Sequence, residues 1–147
     1  MKLYDLCLAP VILAGVVSLS DVTTKVSKHT ARTTGQGELI QVMTCDKGWG
    51  LDAKAATSGL YAIDLQYGAK LELGKFSLNL IPKGGISYTD HTVRELPQTV
   101  QFSVGAQFLV GYDHYRAGIE LWHLSNAGFT APNIGLNVIA ITAGWSF

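Results

Sequence analysis

The chain has 147 residues, with 11 basic and 11 acidic side chains and a formal net charge of zero. That length holds one domain rather than two, and the charge balance offers neither a basic surface for nucleic acid nor an acidic solvating tail. The mean hydropathy of +0.23 is high for a water-soluble domain, yet only one run approaches helical membrane character.

That run is Leu6 to Leu19. It falls short of the roughly 20 apolar residues a spanning helix needs. Lys2 precedes it, and Ser18, Leu19 and Ser20 follow with the small residues a signal peptidase reads. Residues 1–20 are therefore expected to be a secretory signal peptide and residues 21–147 the mature domain. Asp5 is atypical of a leader, and the alternatives are a buried first strand or an uncleaved anchor. With a cleaved leader Cys7 is lost, so Cys45 has no disulfide partner and reads as packing.

Ser27 to Ala56 is weakly periodic, with room for two or three strands, including Glu38 to Thr44 and Trp49 to Ala55. From Leu60 the pattern sharpens. Tyr61, Ile63, Leu65, Tyr67, Ala69, Leu71 and Leu73 share one parity, and Ala62, Asp64, Gln66, Gly68, Lys70 and Glu72 the other. Gly74 and Lys75 make a turn, and Phe76, Leu78 and Leu80 begin a return strand towards Tyr88. Asp90 to Pro97 is a polar loop. Val100 to Tyr112 alternates over a dozen residues, longer than the usual half-buried strand of about five or six. Tyr115 to Ser125 puts Ala117, Ile119 and Leu121 outside, and Arg116, Gly118, Glu120 and Trp122 inside. A last strand, Leu136 to Phe147, aligns Ile139, Ile141, Ala143, Trp145 and Phe147.

Strands of this length, with one apolar and one polar face, suit a tilted membrane crossing. Open edges do not survive in lipid, so the strands must close. The expected fold is all-β: an antiparallel transmembrane β-barrel of eight strands, about the minimum for such barrels. Inward Asp64, Lys70, Glu72, Arg116, Glu120 and His114 read as a lumenal polar network, since small barrels fill their interiors with side chains. A C-terminal strand ending in Phe resembles the signal read by the barrel assembly machinery of the Gram-negative outer membrane, which is the expected location.

Leu121 to Asn137 breaks the pattern. By parity His123 and Ser125 point outward, towards lipid. With both termini on the periplasmic side they stand near the extracellular rim, facing the lipopolysaccharide leaflet. Two residues apart on a strand, they leave one face about 6.5–7 Å apart. A Ser hydroxyl needs a base to become a nucleophile, and His123 is the His on that face. The developing oxyanion needs donors, which Asn126 and the amides of Ala127 and Gly128 can supply where the chain leaves the strand. Asn137, outward on the adjacent strand, is the best group to orient His123. His29, His91, His114 and His123 show no metal-ligand spacing, and no Gly-x-Ser-x-Gly elbow or phosphate loop is present. No cofactor is expected.

His123-Leu124-Ser125-Asn126-Ala127-Gly128, followed by Ala131 to Asn137, resembles the signature of the lipid A 3-O-deacylases of the PagL type, from about Gly111 onward. The resemblance implies an eight-stranded outer-membrane barrel that hydrolyses the ester at position 3 of lipid A. It puts the family's His, Ser and oxyanion Asn on His123, Ser125 and Asn126. It departs at the third triad position. The family's best-known member has a Glu there, and spacing places its equivalent at Asn137. An amide orients a His but does not stabilise an imidazolium by charge. That leaves an active Ser-His-Asn variant, a slower enzyme, or a barrel that has lost activity.

The expected function is thus a serine esterase acting on lipid A among the outer-membrane lipids. The rivals are a non-enzymatic structural or adhesive barrel, and a phospholipase-type esterase at the same site. The sequence leaves open which acyl chain is cut and whether the chain forms a homodimer.

Overall fold

The computed structural model describes residues 2–5, 11–21, 32–46, 48–90, 99–127, 129 and 135–146. These form ten strands: β1 (Lys2–Asp5), β2 (Val11–Asp21), β3 (Arg32–Asp46), β4 (Trp49–Ala56), β5 (Leu60–Tyr67), β6 (Ala69–Leu73), β7 (Phe76–Thr89), β8 (Val100–Tyr112), β9 (Tyr115–Ser125) and β10 (Leu136–Ser146). All pairings are antiparallel. The order β7-β5-β4-β3-β2-β10-β9-β8 closes through β7–β8. The result is the expected eight-stranded barrel, with β6 prolonging β5 and the short β1 lying along β6.

The period-two pattern becomes the wall. Outward residues such as Ile63, Leu65, Leu121 and Ile141 are exposed, while their neighbours in the chain are buried. Aromatic rings mark both ends, as in membrane barrels. Trp49 meets Tyr67, and Phe76 meets Tyr112, at the end carrying the short turns. Tyr61 meets Tyr88, and Phe102 meets Phe129, at the other.

The strand expected over Leu60 to Leu73 is interrupted at Gly68 without a change of register. Gln66 pairs with Lys83 and Ala69 with Leu80. The gap faces Ile81 and Pro82, and proline has no N–H to give to a ladder. On its other side β7 pairs with β8 without a break.

The eighth strand comes from an unexpected place. Within Ser27 to Ala56 the structure describes two strands, β3 and β4, and the ring is completed by β2. This strand pairs along its length with both β10 and β3. The boundary expected near residue 20 therefore falls at the end of a wall strand. A leader cut there would remove β2 and leave β3 and β10 each with one open edge. An apolar run of ten or so residues satisfies a leader and a lipid-facing strand equally well, which is why hydropathy does not separate them.

The lumen is filled in three layers. Leu39, Ala56, Leu60, Trp122, Leu124, Leu136, Val138 and Ala140 form an apolar plug towards the loop end. Leu13, Met43, Ile81 and Leu109 form a smaller one towards the turn end. Between them lies a buried polar layer. Lys54 Nζ is 2.5 Å from Glu120, 2.6 Å from Asp64 and 3.2 Å from Asp52. Lys83 Nζ is 2.6 Å from Asp52 and donates to Gln107 at 2.6 Å. Gln41 donates to Asp52 and Glu120, and Ser103 donates to Asp64. The three carboxylates converge as a cation cage would, but the Lys54 ammonium holds the centre. Such charges persist away from water only when paired and hydrogen-bonded.

Asp64 and Glu120 thus lie in the network as expected. Lys70 and Glu72 pair with each other at 2.5 Å, only partly buried. Arg116 is buried, and its guanidinium donates to the Asp113 and Tyr115 carbonyls. His114 departs from expectation. It stands exposed in the β8–β9 turn, its Nδ1 3.2 Å from the Ser146 carbonyl oxygen. A two-residue turn leaves no inner face for it to occupy.

Candidate active site on the outer wall

β8, β9 and β10 run side by side and set the geometry. His123 is the direct cross-strand partner of Val104 on one side and Asn137 on the other. Ser125 sits opposite Phe102. His123, Ser125 and Asn137 are all half-buried, in contrast to the buried Trp122, Leu124, Leu136 and Val138 between them. The three polar side chains therefore belong to the outer face, and the apolar plug lies directly behind them.

The contact between His123 and Asn137 is made. His123 Nδ1 lies 2.9 Å from Asn137 Oδ1. A carbonyl oxygen at Nδ1 accepts the Nδ1–H, so in the neutral tautomer this contact selects, the lone pair is on Nε2. Register explains why: directly opposed residues on one face of an antiparallel pair lie about 4.5–5.5 Å apart at Cβ. Among the described residues, no hydrogen bond joins Ser125 to His123. They are successive outward residues of one strand, so their backbones start about 6.5–7 Å apart. Catalytic hydrogen bonds commonly tighten only around substrate.

β9 ends where the sequence supplies turn residues. Asn126 is 1 % exposed, and its carbonyl accepts the Phe129 N–H at 3.1 Å. Ala127 takes a positive φ of 54°, a left-handed conformation that a residue with a Cβ adopts at a cost of about 1–2 kcal/mol. The chain thus turns sharply just past Ser125. Gly128 lies outside the described residues. Of the expected donors, Asn126 is the deeply buried one and Ala127 the exposed one.

Two features were not drawn from the sequence. Beneath His123, a shallow, mainly apolar hollow of about 340 Å³ is lined by Val104, Leu121, His123, Asn137 and Ile139. Gly135, at φ +76°, packs against the imidazole. The hollow arises from three strands at once, so no single-strand pattern reveals it. The glycine's place in the quoted signature was the available signal for the second.

The sequence profile of the family described as lipid A 3-O-deacylase (PagL) matches residues 32–146. The crystal structure of the outer-membrane enzyme PagL superposes with a TM-score of 0.64 at 10 % identity, covering 92 % of this chain and 99 % of that one. The attachment invasion locus protein Ail of Yersinia pestis superposes with a TM-score of 0.52, also at 10 % identity, covering 97 % of this chain and all of Ail. No curated protein matches by sequence. At such identities the two structures speak for the barrel fold, whereas the profile spans most of the sequence. This outer-membrane β-barrel belongs to the lipid A 3-O-deacylase (PagL) family.

Proposed function

We propose that the protein hydrolyses the ester-linked 3-acyl chain of lipid A with Ser125 as nucleophile and His123 as general base. The observation that carries the proposal is the outward row of His123 and Asn137, bonded at 2.9 Å, with Ser125 one pleat above. Three polar residues on a lipid-facing wall cost stability and invite a functional explanation. Family membership supplies the substrate class.

In this reading the lipid A ester enters sideways from the outer leaflet. Its acyl chain lies in the hollow formed by Val104, Leu121 and Ile139, and its carbonyl rests at Ser125. Ser125 Oγ attacks the carbonyl carbon as its proton passes to His123 Nε2. The Oγ–C bond forms, and the carbonyl electron pair moves onto oxygen. Asn126 and the amides of Ala127 and Gly128 serve as donors to that oxyanion. Collapse breaks the bond to the sugar 3-oxygen, which takes the proton from His123. Water, deprotonated by the same imidazole, then releases the fatty acid and restores Ser125. Asn137 holds the ring and its tautomer throughout, without adding charge.

The test is mass spectrometry of lipid A from Gram-negative cells producing the chain, beside Ser125→Ala. The expected result is loss of one 3-hydroxyacyl mass that requires Ser125. Unchanged lipid A with the barrel folded in the membrane would overturn it. The rival, a non-catalytic barrel, draws on the Ser125–His123 separation and the amide at position 137. A phospholipase-type esterase is distinguished by the lipid that loses its chain.

A further inference from the structure

We infer that Gly135 is a positioning residue for the His123 imidazole, keeping open the Nε2 edge at which protons are exchanged; this rests on the reading of His123 as the general base. Gly135 is buried immediately before β10. Because Leu136 pairs with Leu124, the register carried one step further sets Gly135 beside Ser125. A Cβ built on Gly135 would overlap Cε1 of His123 and come within 2.6 Å of its Nε2. The Leu124 carbonyl oxygen would be 3.1 Å away. So the imidazole is gripped at two points: the Asn137 side chain holds Nδ1, and the bare Gly135 backbone lies against the opposite edge.

The clash identifies what must give. The backbone at 135 is anchored by the first pair of β10, whereas the imidazole is the free end of a side chain. A methyl group at 135 would drive the ring away from Ser125 or off Asn137. It would also fill the space through which Ser125 Oγ and the departing sugar oxygen reach Nε2. The atoms nearest such a methyl belong to His123 and Leu124, not to Val104, Leu121 and Ile139, the apolar walls of the hollow proposed to take the acyl chain. The loss therefore falls on turnover rather than on substrate binding.

Two requirements at Gly135 are separable. A φ of +76° disfavours most side chains whatever the space, but Asn tolerates the left-handed region better than Ala. If the imidazole contact governs, Gly135→Ala and Gly135→Asn both lose kcat by about 100-fold, with KM within about threefold. If backbone freedom alone governs, Asn retains activity that Ala loses, and the inference fails. Wild-type kcat in either folded variant also overturns it.

The second arm needs no turnover. Unfolding midpoints in urea are measured for Gly135→Ala in the full-length protein and in a His123→Ala background. Removing the ring removes the clash, so the substitution should cost clearly less stability in that background. An equal cost in both, or failure to fold in both, would assign Gly135 to the backbone turn and overturn the inference. Failure of the deacylase reading is recognised separately, by lipid A that stays intact with the unaltered protein.

Discussion

Strand β9 carries two opposite solutions to the problem of polar groups in a membrane wall. On its inner face Glu120 is buried and accepts from Gln41 beside two lysines. One pleat away, on the outer face, His123 has its contact with Asn137, and Ser125 has no hydrogen bond to it. The inner groups are charged and densely paired. The outer ones are polar and half-buried at the lipid face. A satisfied network between apolar layers fixes a structure, whereas a half-buried imidazole and hydroxyl at a lipid face lie within reach of a ligand in the membrane.

The comparison can be broken at either face. Ser125→Ala should give the largest effect: deacylation falls by roughly 10⁴-fold or more, while unfolding free energy changes by less than about 0.5 kcal/mol. Rates on purified lipopolysaccharide and urea titrations measure the two. Lys54→Met should do the converse. It strands Asp52, Asp64 and Glu120 without their central cation and costs about 3–5 kcal/mol of stability, while the protein that remains folded keeps its activity per molecule. A urea midpoint unchanged from wild type would contradict the pairing described. Ile141→Arg tests the lipid character of the outer wall, since a cation at mid-membrane costs about 2–4 kcal/mol; refolding into vesicles reads it. Asn137→Ala should lower kcat by about 100-fold and leave the barrel's stability nearly unchanged. Asn137→Glu sharpens the contrast by placing charge beside the outer imidazole, and should raise kcat above the parent by about tenfold if the missing charge limits turnover.

The wall was legible because its period is short-range. Val100 to Tyr112 states its own inner and outer faces, and Phe102, Val104 and Phe108 lie on the side that their parity assigns. Asn137 beside His123 was legible too, because parity and a hairpin connection together fix which residues face each other. The three lumenal layers were not, since Lys54 meets Glu120 across many residues of chain and no local pattern encodes that distance. Nor was Gly135 against His123 Nε2, which depends on the turn between the two strands. The origin of the eighth strand stayed open between a leader and a first strand because Val11–Asp21 satisfies two physical roles with one composition. Intact-mass measurement of protein extracted from outer membranes separates them. A ring closed by β2 requires the mature chain to retain residues 11–21, and a chain starting at residue 21 would need another strand to join β3 to β10.

The filled lumen has a consequence for how this protein meets other molecules. With Leu39, Leu60 and Trp122 above the charged layer, and Leu13, Ile81 and Leu109 below it, the barrel is no conduit. A molecule dissolved in the bilayer meets it on its perimeter. For a ligand dissolved in the membrane the relevant concentration is then a surface density. Encounter frequency follows lipid packing and lateral diffusion in the leaflet, and dilution of the bulk phase leaves it unchanged.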